Sequence, residues 1–290
     1  MPASPDCLIC LMRQSLEAAR LAVADSRTHL KILESVMRLI LEEGVDVNPP
    51  FIGQKIHRLI REISCNPDPY KKEKQFFNSV MLDQFDLMQK RMRESSDPLD
   101  CAVRWAISGN SIDFALGKPD KEKVVAALDT ALELPLNGSL SDLREEIQKA
   151  HSILYLTDNA GEIVCDRLLI ELLTADPYRK DLTVAVRGKP ILNDAIREDA
   201  EMVGLKGIVP VIDNGNDGLG TMLEYCSPPF IEHFQTADLI IAKGLANYET
   251  LIENKGPVCP RRIAYLFKSK CPFISHFAGT TVGDLVIRIF

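Results

Sequence analysis

Four short segments of the chain gather side chains that can hold a metal ion and an anion together. They are Thr157-Asp158-Asn159-Ala160-Gly161-Glu162, Arg187-Gly188-Lys189-Pro190-Ile191-Leu192-Asn193-Asp194, Asp213-Asn214-Gly215-Asn216-Asp217-Gly218 and Lys243-Gly244-Leu245-Ala246-Asn247-Tyr248-Glu249. Carboxylates and an amide oxygen are hard donors suited to a divalent cation. Arg187 and Lys243 are anion clamps. Both kinds in one site call for a phosphorylated substrate held beside a metal. Each segment also admits a plainer role. Asn159-x-x-Glu162 matches a capping box, Asn193-Asp194 could cap a following helix, Asp213-Asn214-Gly215 reads as an ordinary turn, and Lys243-Gly244 as a solvated strand end. The chemical reading rests on their co-occurrence.

The elements that would position these segments are legible in the hydropathy. Each segment follows a short β-branched run: Ile153–Leu156, Leu182–Val186, Gly207–Ile212 and Leu239–Ala242. Pro272–Ser275 and Leu285–Ile289 read as further strands. Nearly continuous apolar strands alternating with helices predict a mainly parallel sheet covered on both faces, a three-layer α/β/α core. In such sheets ligands sit outside the carboxyl ends of the strands, so all four segments are expected at one edge.

Before about residue 150 the apolar spacing is helical, with stripes through Leu8, Leu11 and Leu16, and through Leu30, Leu33, Val36 and Met37. Pro49-Pro50 opens another helix, a charged helix is expected from Tyr70 to Glu94, and Asp97-Pro98 starts the next. The expected organisation is an all-helical N-terminal subdomain, residues 1–96, and an α/β core, residues 97–290.

Composition narrows the partners. The 290 residues carry 34 Lys and Arg against 41 Asp and Glu, a net charge of −7. An acidic chain is not expected on nucleic acid or a membrane surface, whereas a small anionic substrate needs only a locally basic pocket. No run of about 18 uncharged apolar residues is present, so no bilayer span is expected. The opening MPASPDCLICLMRQS lacks a basic start, which predicts a cytoplasmic protein with reduced thiols. There is no Gly-x-Gly-x-x-Gly, Walker motif or Gly-x-Ser-x-Gly elbow. Cys7 and Cys10 stand at i and i+3, half of a tetrahedral zinc site that Cys65, His57 or Cys271 would have to complete. Two small buried hydrophobes on a core-facing stripe is the alternative.

Three blocks, Asp158-Asn159-Ala160-Gly161-Glu162, Arg187-Gly188-x-Pro-x-x-Asn193-Asp194 and Lys243-Gly244-x-x-Asn247-Tyr248-Glu249, resemble in order the signatures of the metal-dependent damage-control phosphatases. That family is also described as domain of unknown function 89 and as acidic-residue-methyltransferase-like. Cys7-x-x-Cys10, Asp68-Pro69-Tyr70 and Gly109-Asn110-x-Ile112-Asp113-Phe114 resemble its stand-alone microbial branch. The resemblance implies Asp158, Asn159 and Asp194 as ligands of manganese, cobalt, nickel or magnesium. It implies that Glu162 faces the hydroxyl-bearing part of the substrate, and that Leu245 to Glu249, above all Asn247, line the pocket. Asn110 would reach the same pocket. The eukaryotic Arg-Thr-x-Lys phosphate grip corresponds to Tyr265-Leu266-Phe267-Lys268, which keeps only Lys268, so Lys243 would share or replace that role.

The expected reaction is hydrolysis of a small phosphomonoester, a sugar phosphate or damaged phosphometabolite, by direct attack of metal-activated water. Asp158 reads as a ligand and not as a covalent nucleophile, because the second Asp of that pattern, two positions on, is lacking. An S-adenosylmethionine-dependent carboxyl methyltransferase is the alternative, but the first loop is not Gly-rich and Arg187 stands where a ribose-binding acid is wanted. A non-catalytic phospho-ligand-binding protein is the third reading.

Overall fold

Prolines and Asp side chains set where the helices begin. A computed structural model describes residues 3–44, 48–109, 121–252 and 262–290. Pro5 stands at the start of α1 (Pro5–Ala22). Asp25 accepts the Arg27 and Thr28 amides to start α2 (Ser26–Glu43), and Pro49-Pro50 opens α3 (Pro49–Ser64). The three apolar stripes meet through Leu11, Ala18, Ile32, Val36, Ile56 and Ile60, a core of their own.

The charged segment from Tyr70 to Glu94 is two helices, not one: α4 (Lys71–Leu82) and α5 (Phe85–Glu94). No Gly or Pro marks the break, and Met81, Phe85, Met88 and Met92 continue one stripe across it into the core beside the sheet. That unbroken spacing hides the interruption from periodicity. Asp97 caps α6 (Pro98–Ser108) through the Leu99 and Asp100 amides, both at 3.1 Å. Then come α7 (Lys121–Glu133), β1 (Leu136–Asn137) and α8 (Leu140–Lys149).

The alternating part runs β2 (Ser152–Leu156), α9 (Glu162–Thr174), β3 (Asp181–Val186), α10 (Arg197–Met202), β4 (Val211–Asp213) and α11 (Pro228–Thr236). It ends with β5 (Leu239–Lys243), α12 (Gly244–Leu251), β6 (Ile263–Lys268), α13 (Pro272–Ala278) and β7 (Leu285–Ile289). The sheet order is β1-β7-β6-β5-β2-β3-β4, parallel except where β6 meets β7. Alternate residues face opposite cores. Tyr155, Val184 and Ile241 pack against α6 and α9, whereas Leu154, Ala185 and Ile240 face Phe230, Phe234 and Tyr248 on α11 and α12. This is the expected three-layer arrangement.

Two strand expectations are corrected. Pro272–Ser275 is the first turn of α13, with Pro272 at a position where its missing N–H costs nothing. The strand lies earlier, at Ile263–Lys268, because a short buried apolar run has no periodicity to separate strand from helix. Of Gly207–Ile212 only the end is strand, since Leu205–Gly207 is a 3-10 turn.

The topology creates the site. The chain passes from β2 outward to β3 and β4, then returns to lay β5 on the other side of β2. The loops leaving β2 and β5 therefore diverge at a switch point, where such sheets open a crevice. The α1–α3 unit is moored at that edge: Gln54 Nε2, Arg58 Nε and Arg61 Nη2 approach the Asp217 carboxylate at 2.7, 2.9 and 2.6 Å.

Candidate active site

Backbone hydrogen bonds bring the first two segments together. The Ala160 N–H donates to Asn193 O, the Ala195 N–H to Asp158 O, each at 2.8 Å, and the Arg187 N–H to Ala195 O at 3.0 Å. Asn159 and Asp194 thereby pair like residues of adjacent strands, which packs Asp158, Asn159 and Asp194 side by side, all buried. The plainer readings of these residues do not hold. Gly161, not Asn159, precedes α9, and no side chain caps it. The Ile196 N–H ahead of α10 is taken by Asp199, not by Asn193 or Asp194. Asp213-Asn214-Gly215 is a turn, in which Asp213 accepts the Gly215 N–H at 3.0 Å.

Gly244 closes the other side. Its φ is +80°, and a Cβ there would overlap the Asp158 carboxylate. Only glycine lets β5 turn into α12 against that side chain.

The three residues floor a cavity of about 660 Å³, shared with Glu162, Glu249 and Lys268. Cys7 and Cys10 of α1 line it as well. Arg187, Lys243 and Asn247 do not line it and lie behind it. Arg187 Nε binds Asp194 at 2.7 Å, and its Nη2 stands 3.9 Å from Asp158 with no hydrogen-bond partner among the described residues. Asn247 donates to Thr157 O and Lys243 O and accepts from Thr221 at 2.8 Å, tying the ends of β2 and β5 together.

Lys243 is fully buried, and its Nζ donates to Ala106 O at 2.5 Å and to Glu162 Oε1 and Asp166 Oδ1 at 2.6 Å. It is neither a solvated strand end nor a group facing the cavity. Asn110 lies outside the described residues.

The electrostatics suit a cation. Burial pushes the Asp158 carboxyl well above the usual range, and Glu162 and Asp194 push it further, against Arg187 and Lys270. Burial also raises Asp194, against the Arg187 ion pair. Arg187 answers Asp194 and Lys243 answers Glu162, whereas the Arg187 Nη2 stands 3.9 Å from Asp158, and a divalent ion would add the positive charge wanted there. Asn159 Nδ2 now donates to Asp158 at 2.6 Å. Half a turn of the amide would present its oxygen instead. Among the described residues no three His, Cys, Asp or Glu side chains form a complete metal cage. Two carboxylates and one amide leave positions for water and substrate, as an octahedral oxygen-bound ion requires.

Sequence reasoning missed three residues. Lys270 lines the cavity beside Lys268, whose ammonium is disfavoured by burial and by the Lys270 charge. Lys-x-Lys directly after a strand was the available signal. Asp166 sits one turn after Glu162 on the buried face of α9, where two like charges at i and i+4 call for a shared partner. Asn78 of α4 accepts the Gly161 N–H at 2.7 Å and donates to Asp199 at 2.8 Å, holding the first loop from below. No local pattern announces it.

A doubly wound α/β sheet with clustered oxygen donors at its switch point and lysines on the cavity wall defines a phosphoester-handling enzyme of the metal-assisted kind. Residues 3–286 match the damage-control phosphatase ARMT1-like domain. The chain is 39% identical to an uncharacterised protein of Methanocaldococcus jannaschii, covering 98% of this chain and 94% of that one. It is 31% identical to a damage-control phosphatase of Archaeoglobus fulgidus over 100% and 99% of the two chains. The crystal structure of a DUF89 family protein from Pyrococcus horikoshii superposes with a TM-score of 0.88 at 30% identity, covering 99% and 98%. The chain belongs to the damage-control phosphatase family, and its activity is metal-dependent hydrolysis of phosphoesters. The methyltransferase alternative is not favoured. Among the described residues no helix is long and apolar enough to cross a membrane.

Proposed function

We propose that Asp158, Asn159 and Asp194 hold one divalent cation, manganese, cobalt, nickel or magnesium, and that the substrate is a small phosphomonoester, a sugar phosphate or damaged phosphometabolite, in the cytoplasm. The observation that carries this reading is the backbone clasp between residues 158–160 and 193–195, which crowds two carboxylates and an amide on the cavity floor. Bound there, the cation would polarise a phosphoryl oxygen and acidify water for direct attack. Lys268 and Lys270 would anchor the phosphate from the cavity wall. Arg187 holds Asp194 in place, and its Nη2 adds positive charge next to Asp158. Glu162, fixed by Lys243, and Glu249 would receive the hydroxyl-bearing part of the substrate. Calorimetric titration of metal-stripped protein with manganese tests the ligand set. One site per chain is expected, lost in Asp158→Ala and in Asp194→Ala; retention in both variants would exclude it.

Burial raises the Glu249 carboxyl to about 7. Below that pH it is neutral and can donate to substrate; above it, the ionised group repels the phosphate dianion. KM is therefore expected to rise from pH 6 to 8 by a Glu249-dependent factor of about fivefold, ~1 kcal/mol. Comparing the pH profile of Glu249→Gln checks this, and identical profiles would remove Glu249 from substrate binding.

A further inference from the structure

Three thiols share the cavity with the carboxylates. Cys7 and Cys10 reach it from the first turns of α1, and Cys271 from the residue before α13. All three are free and partly buried, and the hydrolytic reading uses none of them. Their surroundings are rich in donors. The Ser4 N–H approaches Cys7 Sγ at 3.4 Å, with the Ser4 hydroxyl 3.5 Å away, and the Gln14 amide approaches Cys10 Sγ at 3.6 Å. Arg13 lines the same cavity, and its charge opposes the rise that burial gives the Cys10 pKa. Cys7 occupies the first turn of an 18-residue helix. Cys10 is the central thiol: Cys7 stands one turn before it on α1, and Cys271 lines the same cavity from the start of α13. Among the described residues no third His, Cys, Asp or Glu converges with any pair of them as a metal cage demands.

We propose that Cys7, Cys10 and Cys271 form a peroxide-sensitive thiol centre in the wall of the substrate cavity, where oxidation joins Cys10 to one of its two neighbours as a disulfide and lowers phosphatase turnover. In the first step a thiolate attacks one oxygen of hydrogen peroxide. The O–O bond breaks, the other oxygen leaves as water after taking a proton, and the sulfur becomes a sulfenic acid. The second thiol attacks that sulfur, the S–O bond breaks, and hydroxide departs with the thiol proton as a second water. Two thiols are oxidised and one peroxide is reduced.

Either pairing moves the wall. A disulfide holds its Cβ atoms about 3.8 Å apart, whereas i and i+3 positions on a helix stand about 5–6 Å apart. A Cys7–Cys10 bond therefore tightens the first turn of α1 and pulls Cys7 from Ser4. A Cys10–Cys271 bond straps α1 to the start of α13.

The test treats metal-free protein with hydrogen peroxide, removes the oxidant with catalase, and splits the sample. One half goes to intact mass and peptide mapping. The other receives manganese and is assayed with p-nitrophenyl phosphate, each protein normalised to its own untreated rate. The expected result is a mass loss of ~2 Da, a disulfide mapped to Cys10, and a severalfold drop in turnover that dithiothreitol reverses. Cys10→Ser is expected to keep its own rate. Absence of a disulfide at Cys10, a disulfide with unchanged turnover, or equal inhibition of Cys10→Ser would each overturn the proposal. The mapping needs no turnover, so an untreated protein without activity would count against the phosphatase reading while the thiol chemistry is still decided.

Discussion

Replacing Asp158 with Asn is expected to abolish turnover and, in the metal-free protein, to raise stability. Loss of a metal ligand removes several kcal/mol of transition-state stabilisation, about 10³-fold in kcat/KM or more. The same carboxylate is buried beside Glu162 and Asp194, and all three influences oppose its ionisation. A carboxyl raised above its unfolded value costs stability as pH climbs toward that raised value. Neutral Asn removes this cost, ~1 kcal/mol, so Tm should rise by roughly 2–4 °C at neutral pH. Asp194→Asn should abolish turnover equally but raise Tm by less, because the Arg187 ion pair at 2.7 Å offsets part of the burial that raises its carboxyl. A larger Tm gain at Asp158 with the same catalytic loss would separate the crowded ligand from the paired one. A fall in Tm at Asp158 would refute this electrostatic description of the floor.

Lys243→Met is expected to be the most destabilising single change near the site. Lys243 and Asp166 are fully buried, and Glu162 is nearly so. Burial opposes the Lys243 charge, but Asp166 and Glu162 outweigh it. The Asp166 carboxyl is itself pushed up to about 6, by burial first. Removing the ammonium strands two carboxylates in the core, a cost of about 3–5 kcal/mol. Activity should fall with it, since Glu162 loses the partner that fixes Oε1. Adding Asp166→Asn should recover part of the stability, as one stranded charge is removed. A Lys243 acting on substrate phosphate would behave otherwise, raising KM while denaturation midpoints stay near wild type. Urea denaturation of the single and double variants distinguishes the two.

The site loops were legible in sequence because parallel strands announce themselves as contiguous apolar runs and ligands gather at their ends. Asp158, Asn159 and Asp194 come together at the edge where that rule puts them. The role of Lys243 was not legible: a Lys closing an apolar strand before Gly looks solvated, and only α6 and α9, packed over it, reveal Ala106 O and Asp166. Cys7 and Cys10 looked like half a zinc site or core residues, and the mooring of α3 by Asp217 is what sets α1 beside the cavity. Strand β6 was overlooked because its alternation vanishes when both faces are buried. The helical rhythm before residue 150 placed a boundary at 96, yet α4 and α5 pack into the sheet's core while α1–α3 keep a separate one. Such packing depends on partners distant in the chain.

The central claim is that this clasped pair of loops supports metal-dependent phosphate release, and hydrolysis of a generic phosphomonoester by metal-stripped protein tests it most directly. Turnover should be absent without metal, restored by at least one of manganese, cobalt, nickel or magnesium, and absent throughout in a folded Asp158→Ala variant. Restored turnover that survives Asp158→Ala, or full turnover after metal removal, would contradict the account.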